Sequence, residues 1–290
     1  MSSDHHHIIP PTYLPIVGSV AVFCTLFGFL SWLHNQSYWL EVLSVGLSLL
    51  MIMMIVWFWV VIKENLTIFR GDPIIDRSFR YGMAWFIFTE VALFSAFFGV
   101  LFYVRHVVLT ILGGVPGNEA THYMLWPEFS GMWPVLHTPD PSAFLGPKQA
   151  MGPWGIPAIN TVLLLTSGVT ITLAHWRIID EKHLEAGFWQ LCTILLGMAF
   201  LYFQTHEYIE AYTEYGLRFD AGIYGNIFFI LTGLHGFHVT IGTIMLMVIL
   251  ARILLKHFDA HNHFAFEAVA WYWHMVDVVW LALFVVVYWL

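Results

Sequence analysis

Residues 270–290 read AWYWHMVDVVWLALFVVVYWL, from Ala270 to Leu290. The stretch is almost wholly apolar and rich in tryptophan, and a helix of about 20 such residues crosses the hydrocarbon of a bilayer. It is too continuous for a barrel strand, which would alternate in polarity over about ten residues. Yet it holds His274 and Asp277 three residues apart, a spacing that puts both on one helical face. Six further stretches of the same kind lie upstream, at 14–33, 40–62, 80–104, 156–176, 187–208 and 223–251. The chain is therefore expected to be an all-α membrane protein with seven transmembrane helices.

Composition agrees. Apolar residues make up 59% and charged residues 10%, far below the roughly 25% charged content of soluble domains. The 14 Trp and 25 Phe fit a protein that places aromatic rings at two membrane interfaces. The formal charge of −8 is spread through loops with no basic run, which argues against nucleic acid as a partner. Cys24 and Cys192 lie in apolar segments without metal-type spacing, and no disulfide is suggested. The start, MSSDHHHIIPPTYLP, lacks the basic region of a signal peptide, and its three histidines read as a solvated end.

Lysine and arginine set the expected orientation. The connections after spans 2, 4 and 6 hold Lys63, Arg70, Arg77, Arg80, Arg177, Lys182, Arg252 and Lys256, against Arg105, Lys148 and Arg218 on the opposite side. The positive-inside rule places the first group inside, with the N-terminus inside and the C-terminus outside. The one long connection, 105–154, would lie outside; WPEF, MWPVLHTPDPSAFLGP and GPWGIP make it dense in Pro, Gly and Trp. Proline restricts itself and its predecessor to extended or turn geometry, so an ordered loop without helix is expected, and loops of this length usually carry function or dock a partner. No internal repeat of the transporter kind is present. The simplest organisation is a single membrane domain, 1–290, with spans 1–2 in 1–66, an inner connection at 67–79 and spans 3–7 in 80–290.

Ionisable groups within spans are costly and mark functional candidates. Glu90 lies about ten residues beyond Arg80, ~15 Å along a helix and near mid-membrane. It reads either as a proton-handling or lipid-cleft carboxyl, or as an acid hydrogen-bonded to a neighbouring helix. His235 and His238, at i and i+3 in FFILTGLHGFHVTIG, share a face. They suit a metal or haem, but no carboxylate or cysteine lies beside them in sequence, and the glycines at 233, 236 and 242 point to close helix packing with inter-helix hydrogen bonds. His206, Glu207, Glu210 and Glu214, in QTHEYIEAYTEYG, resemble half of a carboxylate metal site; no second set appears, so an interfacial polar network is the better reading. His274 and Asp277 lack companion ligands and a nucleophile. They read as an internal polar clasp, with Trp271 and Trp273 at one interface and Tyr288 and Trp289 at the other. Lys63, Arg80 and Arg252 sit near phosphate depth, where cationic side chains snorkel and hold lipid head groups, or simply set topology.

Several of these stretches meet in one family. RYGMAWFIFTE (80–90), WGIPAINTVLLLTSG (154–168), EYIEA (207–211), GIYGNIFFILTGLHGFHVTIG (222–242) and HNHFAFEAVAWYWHMVDVVWLALFVVVYWL (261–290) lie in order. The chain resembles subunit III of cytochrome c oxidase, a haem–copper respiratory oxidase; spans 1–2 match more by hydropathy and by WFWVVIKE (57–64). The resemblance implies helices 1–2 and 3–7 in two bundles around a V-shaped lipid cleft. It implies subunit I as main partner, with subunit II and small subunits nearby, and cytochrome c as substrate of the complex. Haems and copper belong to those partner subunits, so neither catalytic residues nor a cofactor or metal site is expected here, while bound phospholipid is. By position Glu90 matches the family's intramembrane cleft acid, and Trp59, Glu64, Arg80, Arg252 and His257 match its lipid contacts. Lys63 stands where arginine is common and lacks its bidentate phosphate fork. The implied role is to stabilise subunit I, hold lipid and support proton uptake. A related quinol-oxidase subunit has five helices, so seven favour the cytochrome c enzyme. The extended 105–154 loop points to a bacterial inner membrane rather than the mitochondrial inner membrane. A free-standing proton-coupled transporter is the alternative from another class.

Overall fold

The computed structural model describes residues 12–289, and every regular element among them is helical. Seven helices are long and apolar enough to cross a membrane. In hydrocarbon no water can satisfy a free N–H or C=O, so a spanning chain of this composition must close its backbone bonds within each segment. The many span hydroxyls do likewise: Thr161 donates to the carbonyl of Pro157 at 2.9 Å and Thr172 to that of Gly168 at 2.8 Å. The histidines at 5–7 lie outside the described residues.

The chain divides into two compact units, Met1–Asp72 and Pro73–Leu290. The first contains α1 (Leu14–Leu33) and α2 (Trp39–Thr67), packed along each other. Glycine permits their approach: a Cβ on Gly28 would lie 2.5 Å from the backbone nitrogen of Leu43, and one on Gly46 would run into the backbone of Thr25. Close small-residue contact of this kind holds helices together where lipid is as apolar as leucine.

The second unit begins with α3 (Pro73–Tyr103), which runs on through a π-helical turn at Val104–Val108 to Leu112. This helix is longer at both ends than the 80–104 expected from hydropathy. Pro73 suits a first helical turn, and Asp76 pairs with Arg80 one turn on at 2.8 Å, so charged residues extend the helix beyond its apolar stretch. The long connection is thereby shortened, and it does contain a helix, α4 (Glu119–Leu125), where prolines and glycines had suggested none. The prolines flank α4 rather than enter it. The rest of the loop is ordered by contacts with the bundle. The Lys148 N–H donates to the Tyr215 carbonyl at 2.8 Å, the Met151 N–H to the Tyr224 hydroxyl at 3.2 Å, and Trp133 meets the Tyr224 ring edge-on at 5.3 Å. Within it Ser142 donates to Asp140 through both hydroxyl and N–H, and the hydroxyl bond foremost holds that carboxyl below its usual range.

There follow α5 (Ile156–Ile179), α6 (His183–Thr213), α7 (Ile223–Leu254) and α8 (Phe264–Leu283), the last prolonged by a π-helical turn at Phe284–Trp289. Sequential helices pack in the order α5, α6, α7, α8, and α8 also touches α3 and α5, making it the centre of this unit. Trp273 shows why. It is wholly buried rather than interfacial, its indole N–H donates to Ser167 on α5 at 2.8 Å, and its ring lies where a Cβ on Gly197 (α6) or Gly242 (α7) would stand 2.8 Å away. Tyr288 is likewise buried, leaving Trp271 and Trp289 as the exposed members of the expected aromatic girdles.

A methyl group at 242 must displace an indole that has no room to move. Gly242→Ala should lower stability by about 1–3 kcal/mol through overpacking, whereas Gly236→Ala, which meets nothing within 4 Å, should be neutral. Thermal unfolding of both variants in one detergent checks the contrast.

Candidate functional site

Three polar assemblies lie at different depths of the 73–290 unit. At mid-span the structure joins two residues 148 positions apart: Nε2 of His238 (α7) lies 2.7 Å from Oε2 of Glu90 (α3). The other ring nitrogen, Nδ1, lies 2.7 Å from the Leu234 carbonyl. A carbonyl only accepts, so Nδ1 carries hydrogen. The contact with Glu90 is then completed by one proton, held either by the acid or by Nε2. Both side chains are largely buried, Phe94 packs on the imidazole at 5.0 Å, and the Tyr272 hydroxyl donates to the His238 carbonyl at 3.3 Å. Of the two readings of Glu90, the hydrogen bond to a neighbouring helix is present, and it has the form of a proton-sharing pair.

His235 differs from its neighbour. It is fully buried, neither ring nitrogen has a hydrogen-bond partner, and the ring packs between Phe200 at 5.6 Å and Trp280 at 5.2 Å. The inter-helix hydrogen bond expected of it is not formed, because the residues facing it on α6 and α8 are aromatic.

Toward the end of the bundle that bears the long loop, Glu207 on α6 is fully buried and accepts from the Tyr288 hydroxyl at 2.6 Å. Tyr208 donates to Thr232 at 2.7 Å, and Asn160 faces Gln204 at 3.5 Å. Glu210 accepts from Tyr215 at 2.9 Å, a bond that raises the tyrosine's pKa above its ordinary value. His206 and Glu214 lie beside this network on α6 and its C-cap. The polar-network reading of QTHEYIEAYTEYG fits this arrangement, with Tyr288 as a member that sequence spacing could not supply.

At the opposite end, which carries the basic connections, Arg80 is held by acids. Its Nη1 and Nη2 donate to the two oxygens of Glu267 at 2.5 and 3.0 Å, its Nε donates to Asp76 at 2.8 Å, and its guanidinium lies 4.8 Å over the Phe264 ring. Three of its five N–H groups are thus engaged inside the protein. Glu267 was not singled out from sequence; an acid in the first turn of α8 reads as an ordinary helix-start carboxylate. His263 and His175 complete the cluster, and one ligand atom from each of His175, His263 and Glu267 falls within 4.8 Å of the others.

The pair that α8 itself displays is looser than expected. Nδ1 of His274 is 3.9 Å from Oδ2 of Asp277, an ion-pair separation and too long for a hydrogen bond. Asp277 turns instead into a groove between α5 and α8, lined by Leu165, Gly168, Val169 and Thr172. A Cβ on Gly168 would lie 2.7 Å from Oδ2, and Oδ1 is buried without a partner. His274 stays half-exposed, so a closed clasp is not formed. Among the cationic candidates, Lys63 stands 5.3 Å over the Trp59 ring beside Glu64 on α2. Arg252 near the end of α7 is 7% exposed, covers Phe258 at 4.6 Å and leaves its Nε without a partner, with His257 just beyond it.

The sequence pattern named "Cytochrome c oxidase subunit III" matches residues 4–116 and 129–290, a span that includes all of these residues. The chain belongs to that family. Cytochrome c oxidase subunit 3 of the fish Polypterus ornatipinnis is 38% identical over 98% of this chain and 96% of its own length. The subunits 3 of Arabidopsis thaliana and Danio rerio are 36% and 38% identical over similar shares. This subunit III therefore belongs to a multi-subunit oxidoreductase embedded in a membrane by seven helices. The unmatched residues, 117–128, contain α4, so the family's pattern breaks where the long loop is helical.

The Arg80–Glu267 fork gives a test of the basic end. Arg80→Lys keeps the charge and loses the two-pronged geometry. A double-mutant cycle on Arg80 and Glu267 in the purified complex should give a coupling above the ~1 kcal/mol typical of exposed pairs, with Arg80→Lys recovering less than half of it.

Proposed function

We propose that this subunit III is a non-redox core component of a proton-pumping cytochrome c oxidase. In it the complex oxidises ferrocytochrome c, reduces O2 to water and moves protons outward, while this chain stabilises subunit I, holds phospholipid and supports proton uptake. The observation that carries the reading is the match of the whole membrane-spanning chain to the subunit III family. Three features support its parts. The largely apolar groove on α5 and α8, with His274 and Asp277 in its wall, suits a face completed by subunit I. The exposed Lys63, standing over the Trp59 ring, suits lipid phosphate. The single-proton contact between Glu90 and His238 suits a group that exchanges protons at mid-membrane. The basic end faces inward by the positive-inside rule, and the address is a bacterial inner membrane, with the mitochondrial inner membrane as the alternative.

Purification in mild detergent tests the assignment. A larger partner carrying haem should accompany the chain, and a haem-free monomer that moves substrate would overturn the reading. Glu90→Ala should change lipid content or shorten the time over which turnover is sustained, with the initial rate of oxygen reduction kept within about twofold, a change of under ~0.5 kcal/mol in barrier. Oxygen-electrode traces over many turnovers, paired with lipid analysis, separate the two. An immediate loss of oxygen reduction in an intact complex would contradict it.

A further inference from the structure

We propose that His175, His263 and Glu267 form a binding site for a divalent metal of the zinc class at the basic end of the 73–290 unit. The three residues come from the end of α5, the residue preceding α8 and the first turn of α8, so no sequence motif announces them. They share no role with the mid-span Glu90–His238 pair, and the site does not depend on the oxidase reading.

The geometry begins with His263. Its Nδ1 lies 3.0 Å from the Asp259 carbonyl, which can only accept, so this nitrogen carries hydrogen. Nε2 then presents its lone pair to Oε1 of Glu267 at 3.2 Å. As between His238 and Glu90, such a contact is completed by a positive centre, here either a proton taken up by that lone pair or a metal ion. Zinc bonds to nitrogen and carboxylate oxygen of 2.0–2.1 Å make the edge of a coordination tetrahedron about 3.3 Å, so this contact already has the length of such an edge. His175 supplies the third ligand atom, within 4.8 Å of the other two, and its Nε2 is buried without a hydrogen-bond partner. An inward shift of about 1.5 Å brings the third ligand atom to the same tetrahedral separation.

The surroundings orient the ligands as outer partners of metal sites do. A backbone carbonyl fixes the His263 tautomer. Arg80 grips both oxygens of Glu267 and is itself set by Asp76, which fixes the carboxylate plane and leaves Oε1 room for a further contact. Phe266 stacks on His175 at 5.3 Å and gives the site an apolar wall. Two imidazoles and one carboxylate suit zinc rather than magnesium or calcium, which take oxygen sets. A fourth position is left to water, and the small exposure of His263 and Glu267, 11% and 14%, opens it to the aqueous end.

The test uses the intact oxidase complex, stripped with a chelator and then titrated with radioactive zinc by equilibrium dialysis. His175→Gln is the main variant, because the nitrogen it removes bonds to nothing in the protein; His263→Gln is the second. Each should lose one zinc equivalent per complex or bind it at least 10-fold more weakly. The zinc absorption edge of the wild-type-minus-variant difference should show imidazole scattering with a nitrogen and oxygen shell near about 2.0–2.1 Å. Unchanged stoichiometry and affinity in both variants would overturn the site and leave a plain histidine–carboxylate contact beside Arg80.

Discussion

The 73–290 unit depends on one buried indole. Trp273 stands at the centre of α8, hydrogen-bonded to α5 and pressed against glycines of α6 and α7. Inside a bilayer the hydrophobic effect gives helices no reason to prefer one another over lipid, so close packing and inter-helix hydrogen bonds must supply the preference. Trp273 supplies both at once. One residue thereby fixes the distance of three helices from a fourth, which an aliphatic side chain of similar depth could not do without a donor. Trp280 repeats the device two turns on, donating to Thr161 at 3.0 Å while its ring meets Phe200 at 4.8 Å.

With α8 so fixed, the polar groups on its neighbours are brought to set depths. Tyr272, adjacent to Trp273, reaches the backbone of His238 and helps hold the imidazole that meets Glu90. Tyr288 reaches Glu207, and Glu267 reaches Arg80 at the other end. Every one of these contacts crosses between helices, and each buried acid among them has a donor. That is what a low-dielectric interior demands, since an unpaired polar group there costs about 1–3 kcal/mol. Two carboxylate oxygens are nevertheless buried without a partner: Oε2 of Glu207, whose other oxygen is bonded, and Oδ1 of Asp277 beside the α5–α8 groove. Asp277 itself is buried in the wall of that groove, and Gly168 leaves room for it, since a Cβ there would lie 2.7 Å from Oδ2.

The spans were legible because hydrocarbon thickness and backbone satisfaction leave one solution for a run of 20 apolar residues. Their ends were less so: α3 gains turns at Pro73 and past Tyr103 because charged and π-helical residues continue a helix that hydropathy no longer marks. Glu90 and His238 were each visible as costly intramembrane groups. Their pairing was not, since 148 residues separate them and helical spacing relates only neighbours along one segment. Trp273 was misplaced for the opposite reason. Tryptophan near a span end suggests an interface, and only the glycines on two other helices reveal a slot cut for it.

The same limit explains the basic end. Read singly, Arg80 is a cation at phosphate depth, Glu267 a helix-start acid, and His263 and His175 polar residues at span boundaries. Each of those readings is physically sound, and each treats its residue as facing lipid or water. Assembled, Arg80 turns three N–H groups inward, and that changes the chemistry of everything near it. A carboxylate gripped on both oxygens by a guanidinium is rigid, and a rigid acid beside an imidazole held by a backbone carbonyl is a preorganised arrangement. Arg80, one of the cations expected to hold lipid, thus also shapes an internal cluster, whereas Arg252 keeps a buried Nε without a partner.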